Sequence, residues 1–220
     1  MTEGVSVYHL AGDPSWVLEP EGESLCEEVK FAASLNRKAE REFERRQKDG
    51  EQGWDKAPKV EGILFDVEPY TLEIWDEDRD KVMAQFTANM KKAYALAQEQ
   101  GLKVIVCIPW FYDNKGEIEG LKTLIKDCGD GIAVMNYYRG AEIKNIRTEE
   151  ELARQYQKKL ITIYELQPAG SRGVQEMNTY YEQGISGVRA NFEGLLHEYG
   201  EQSMTMALHD YRGLREVQKR

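Results

Sequence analysis

The chain has 220 residues, 41% of them hydrophobic and 10% aromatic, which is enough apolar surface for a sizeable core and excludes a disordered chain. Its formal net charge is −10 and no basic face runs along it, which excludes a nucleic-acid partner, since phosphate binding needs clustered cations. No run of about 18 apolar residues occurs, so no helix is expected to span a membrane.

The start, MTEGVSVYHLAGDP, lacks the charged and apolar regions of a secretory signal. A cytoplasmic location is the default expectation, open to revision if a front carrying a signal is missing. From there, short apolar runs alternate with amphipathic stretches. The runs are Val5–Leu10, Val60–Val67, Lys103–Trp110, Gly131–Tyr138, Leu160–Leu166 and Met204–Tyr211. Several are rich in Val and Ile and apolar on both faces, as buried parallel strands are.

Between the runs the period becomes helical. Leu25, Val29, Ala32, Leu35, Ala39 and Phe43 share one face of a first helix. Lys48–Pro58 reads as a surface loop. Val82, Phe86, Met90, Ala93 and Ala97 mark a second helix, with Gly101 as its stop. Ile118, Leu121, Leu124 and Ile125 form a shorter one. Thr148 and Glu151 have capping-box spacing ahead of Leu152 and Tyr156. Val188, Phe192, Leu195 and Tyr199 build the last long helix, ended by Gly200. No internal repeat is visible, and residues 1–220 are expected to form a single domain.

Strand–helix alternation of this kind predicts an α/β fold with a parallel sheet. An open doubly wound sheet should carry a Gly-rich phosphate loop after its first strand, but AGDPSW stands there. A barrel places functional residues at the C-terminal ends of several strands. That pattern is present: Asp66 and Glu68 end one run, and Trp110, Tyr137 with Arg139, Glu165, and His209 with Tyr211 end four others. The expected fold is therefore a parallel (β/α) barrel of TIM type. A closed barrel needs eight strands and about 250 residues, so this one is expected to be incomplete, with about six strand–helix units. Either the first two units are missing or a shorter barrel closes differently. Open edges would favour self-association.

The sharpest feature is Gly62–Tyr70, GILFDVEPY. Strand alternation would put Asp66 and Glu68 on one side, and neighbouring carboxylates cannot both ionise freely. One proton held to higher pH is what a general acid needs. The plain alternative is that both bond to backbone or arginines at the rim. Trp110, Tyr137, Tyr138, Tyr211 and Trp16 offer flat faces to sugar rings or simply pack. His209, and less strongly His9, could donate to a substrate hydroxyl or satisfy a carboxylate; His197 reads as an exposed helix residue. Glu165 could pair with Arg139. Asp66, Glu68, Glu165, His9 and His209 have no recognisable metal-ligand spacing, and Cys26, Cys107 and Cys128 have none either, so no metal and no cofactor are expected.

GILFDVEPY, IPW, MNYYRG, YEL and ALHDY together resemble a family of bacterial barrel proteins related to glycoside hydrolases, over most of the chain from HLAGDP to the last strand. In that register GILFDVEPY is the fourth strand of the barrel, Glu165 ends the seventh, His209 lies on the eighth, and the first two strands are absent. Glu68-Pro69 and Glu165 also match the acid/base and nucleophile places of clan A retaining glycosidases, although Val67 replaces the usual Asn. Asp66-Val67-Glu68 and Met135-Asn136-Tyr137 resemble motifs of chitinase-like family 18 enzymes, with Leu64 in place of the first acidic residue. The resemblance implies cleavage or binding of an oligosaccharide at the C-terminal face. Glu68 would be general acid/base, tuned by Asp66. Glu165 would be nucleophile or second carboxylate, and Trp110, Tyr137, Arg139, His209, Tyr211 and His9 would hold the carbohydrate ligand. The alternative is a carbohydrate-binding or scaffold barrel without turnover.

Overall fold

A computed structural model of the protein describes residues 5–51, 53, 55–113, 117–200 and 204–219. The first four residues, and Gln52 and Trp54 of the expected surface loop, lie outside the described residues. The chain divides into two compact units, Met1–Val106 with Asp127–Gly129 and Cys107–Lys126 with Asp130–Arg220.

The first unit contains β1 (Tyr8–Ala11), α1 (Glu23–Lys48), β2 (Gly62–Phe65), α2 (Ile74–Glu77), α3 (Arg79–Glu99) and the start of β3 (Lys103–Pro109). β1 and β2 pair in parallel with Leu10 opposite Leu64, and β2 pairs in parallel with β3. The α1 stripe is fully buried at Leu25, Val29 and Ala32, whereas its distal half carries the ion pairs of Arg45 and Arg46 with Glu42. In α3 the expected positions Val82, Phe86, Met90, Ala93 and Ala97 are all buried. Gly101 adopts φ +67 just past its end, the left-handed turn that lets Leu102 N–H reach back to the Ala97 carbonyl. Each large apolar side chain removed from water here stabilises the fold by about 1.5–3 kcal/mol.

One buried polar side chain fastens the segment after β1. Asn89 of α3 is fully buried and donates through Nδ2 to the Glu19 carbonyl at 2.8 Å, while its Oδ1 accepts from Gln85. Asn89→Ala would remove the shorter of two side-chain hydrogen bonds to that carbonyl, the other coming from Gln85 Nε2 at 3.1 Å, and would take from Gln85 its acceptor on Asn89. It is expected to destabilise the protein by about 2 kcal/mol in urea denaturation, with an unchanged m-value.

The second unit contains the end of β3, α4 (Ile118–Asp127, to Lys126), β4 (Gly131–Met135), α5 (Glu142–Asn145), α6 (Arg147–Gln155), β5 (Lys159–Glu165), α7 (Gly184–Tyr199), β6 (Met204–His209) and α8 (Tyr211–Val217). β4 pairs with β5, and β5 with β6, both in parallel. All five residues of β4 are buried, as a central parallel strand requires. Two local expectations are corrected. α6 begins at Arg147 without a side-chain cap, because Thr148 Oγ1 donates to Asp113 Oδ2 at 2.7 Å instead of closing a capping box. Tyr211 does not end a strand: β6 stops at His209, Asp210 caps α8 by accepting from Gly213 N–H, and Tyr211 opens that helix 73% exposed.

The sheet order follows the chain, β1-β2-β3-β4-β5-β6, which makes this an α/β fold of six strands with helices between them. Among the described residues no ladder joins β6 to β1, so the expected barrel of TIM type is not closed. No described helix is long and apolar enough to cross a membrane.

Candidate functional site

In the first unit the candidate carboxylates stand just beyond the β2 ladder. Asp66 N–H donates to the Ala11 carbonyl at 2.9 Å, carrying the β1–β2 pairing one step past Phe65. Close approach is possible there because residue 12 is glycine: a Cβ on Gly12 would lie 1.8 Å from the Asp66 carbonyl oxygen. The Oδ1 atom of Asp66 is buried and accepts no hydrogen bond. A buried carboxylate oxygen without a donor carries a desolvation penalty that the fold itself does not offset.

Glu68 departs from the expectation. Its φ of 54° and ψ of 50° are left-handed, so the extended alternation that would put it beside Asp66 ends one residue earlier. Such a conformation costs a non-glycine residue about 1–3 kcal/mol, and strain of this kind concentrates at functional positions. Residues 69–71 hold it in place. Pro69 opens a short turn, the Glu68 carbonyl accepts from Thr71 N–H at 3.0 Å and from its hydroxyl, and the Tyr70 hydroxyl donates to Glu68 Oε1.

His9 lies elsewhere in this unit. In β1 it is the register partner of Ile63, and its Nε2 sits 2.6 Å from Glu28 of α1, with the ring beside Phe31. Leu64, two residues before Asp66, faces the opposite way from Ile63. His9 therefore serves the helix-packed face.

In the second unit three expected residues do come together. Glu165 and His209 are register partners at the ends of β5 and β6, so their side chains share a face. His209 Nδ1 lies 2.8 Å from Glu165 Oε2, and the Tyr137 ring stands 6.4 Å from the imidazole at an interplanar angle of 32°. Glu165 Oε1 accepts from Gln167 N–H at 2.7 Å. The carboxylate is thus gripped at both oxygens, and its partner is His209 rather than Arg139. Arg139 instead donates through Nε and Nη2 to the Glu176 carbonyl. With Asn178 Nδ2 donating to the Tyr137 carbonyl at 2.6 Å, this ties the 176–178 turn to the chain leaving β4. Trp110 packs at 6.1 Å from Tyr138 and 5.8 Å from Phe111, forming a partly exposed aromatic group on the same unit.

Glu142 and Glu149 are buried acids of this unit that the sequence did not single out. Glu142 receives the Tyr180 hydroxyl at one oxygen and Gly140 N–H, at 2.7 Å, at the other. Its backbone carbonyl accepts from the buried Asn136 side chain, so this cluster braces the loop that presents Tyr137 and Tyr138. Burial first, and the Glu142 carboxylate beside it, push the Tyr180 phenol far above its usual range. Glu149, in the first turn of α6, is fully buried, and neither of its oxygens has a hydrogen-bond partner in another residue. Burial raises its carboxyl to about 8, and the nearby Asp113 charge adds a smaller push in the same direction. Both acids sit in stretches crowded with Glu, Lys and Arg, whose composition gives no sign of burial.

Comparison with family models, with curated proteins and with solved structures finds no match to this chain. Among the described residues no group of three or more His, Cys, Asp or Glu side chains is arranged to hold a metal ion.

Proposed function

We propose that this protein binds an oligosaccharide at the C-terminal ends of its strands and hydrolyses it with Glu68 as general acid/base. The observation that carries the reading is the Glu68 turn: a glutamate held in a left-handed conformation past a strand end, its carboxyl receiving the Tyr70 hydroxyl. Among the described residues, Glu68 shares positive φ with two other non-glycine positions, Gln157 and Arg172, and is the one of the three that carries a carboxyl group. Asp66, with a buried oxygen lacking a donor, is in this reading the group that meets a polar substrate atom. The sequence resemblance to glycoside hydrolases points the same way.

Substrate assistance, in which a neighbouring acetamido group attacks while Asp66 orients it and Glu68 supplies the proton, uses carboxylates of the first unit alone. The second reading, a carbohydrate-binding protein without turnover, is favoured by the Tyr70 hydroxyl that already occupies Glu68 Oε1.

Reducing-sugar release across a broad glycan panel, with calorimetric binding in parallel, separates these readings. In an enzyme, Glu68→Gln is expected to lower turnover by about 10²–10⁴-fold while glycan affinity stays within a few-fold. Binding without release by the unmodified protein would leave the second reading standing. Neither binding nor release of any glycan would end both.

A further inference from the structure

The second unit holds an imidazole whose orientation is set by a buried carboxylate. Glu165 is 3% exposed at its side chain and gripped at both oxygens, whereas the His209 side chain is 47% exposed. Two groups face Nδ1, the Glu165 carboxylate at 2.8 Å and the Gln167 side-chain amide nitrogen at 3.4 Å; the nearer one only accepts, which favours the hydrogen on Nδ1 and, in the neutral ring, the lone pair on Nε2. Tyr137 flanks the ring on the same strand-end row. Position and ring face are set before any ligand arrives.

We propose that His209 is the general base of a hydrolytic site in the second unit, with Glu165 as its positioning residue, acting on neutral carboxylic esters such as O-acyl groups on a sugar. This goes beyond the glycosidic chemistry assigned to Glu68 and does not depend on it. The reaction needs one nitrogen for both proton transfers. Nε2 takes a proton from a water whose oxygen bonds to the acyl carbon, while the carbonyl electron pair moves onto its oxygen. Collapse restores the carbonyl and breaks the bond to the alcohol oxygen, which recovers the proton from Nε2. Water and ester become acid and alcohol. A glycosidic bond instead calls for two groups flanking the scissile bond, and the buried Glu142 of this unit is taken by Tyr180 and Gly140. A neutral substrate is favoured by charge. The chain carries a formal −10, and the Arg139 guanidinium beside this row is committed to the Glu176 carbonyl.

The chain has three histidines, few enough for long-range ¹H–¹⁵N spectra to assign each tautomer in the intact protein. His209 is expected as the Nδ1–H form, and in Glu165→Gln, whose amide can donate to Nδ1, as the Nε2–H form. Hydrolysis of p-nitrophenyl acetate is the kinetic probe. His209→Asn is expected to lower its rate by about 10²-fold or more, with loss of the rising limb of the pH profile. Glu165→Gln is expected to shift the midpoint of that limb to lower pH, since the ring loses its stabilising carboxylate, a change that a purely structural role would not produce. The proposal is overturned by an Nε2–H tautomer in the unmodified protein, by a pH–rate profile that His209→Asn leaves intact, or by turnover no faster than that of free imidazole at equal concentration.

Discussion

Replacing Glu149 by glutamine is expected to stabilise the protein at pH 7 by about 3 kcal/mol, taking about 1.4 kcal/mol for each pH unit over which only the unfolded chain has lost the proton. The carboxyl is held near 8 in the folded protein by burial, against 4.5 for the ordinary side chain. Below pH 4.5 both forms keep the proton and the stability is fully present. Between 4.5 and 8 the unfolded chain ionises while the folded one does not, so stability falls as pH rises. Above 8 the loss levels off. A glutamine never ionises and occupies nearly the same volume, so the variant should gain little at pH 4.5 and most at pH 9. Urea denaturation of both proteins at pH 4.5, 7 and 9 measures this directly. A constant offset at all three values, or destabilisation by glutamine, would show that the carboxylate is satisfied in solution. The physical origin lies in placement: Glu149 is fully buried, its oxygens find no donor in another residue, and Asp113 contributes charge of the wrong sign for pairing.

Gly12→Ala is expected to destabilise the protein by about 3 kcal/mol, the upper end of the usual overpacking range. At the scale of a chain this size, that lowers Tm by about 6–12 °C. The added Cβ would stand 1.8 Å from the carbonyl oxygen of Asp66 and 2.3 Å from its carbonyl carbon. Backbone cannot rotate out of the way as a side-chain tip can. The chain after β1 must move off the end of β2, breaking the bond from Asp66 N–H to the Ala11 carbonyl and displacing Asp66 with it. Glycan affinity should fall together with Tm. Gly194→Ala is the control: a Cβ there meets nothing within 4 Å, and the residue lies inside α7. That change is expected to stabilise by about 0.5–1 kcal/mol, as removal of a helix-interior glycine does. Equal melting temperatures for the unmodified and Gly12→Ala proteins would mean that the two strand ends do not approach as closely as described.

Where neighbouring residues along the chain set the outcome, the sequence alone was sufficient. Each expected apolar run contains one of β1 to β6, or most of it, and the long helices lie where the 3.6-residue period placed them, with Gly101 ending α3 in the left-handed turn its identity suggested. Period and stop signals are local, since side-chain spacing and backbone sterics act over a few residues. The strand-end row of Tyr137, Glu165 and His209 was partly legible for the same reason: parallel strands align their C-terminal ends, and all three residues end apolar runs.

Partners were decided by packing across long stretches of chain. Glu165 found His209 rather than Arg139 because ladder register, a property of two strands together, set them opposite each other. His9 turned to Glu28 because its register with Ile63 put it on the α1 side. Thr148 left its own helix for Asp113, 35 residues earlier. The burial of Glu149, in a run that reads as solvated surface, has no local signature at all. A charge pattern records which residues prefer water, but desolvation depends on what the rest of the chain lays over them, and that is settled only when the fold forms.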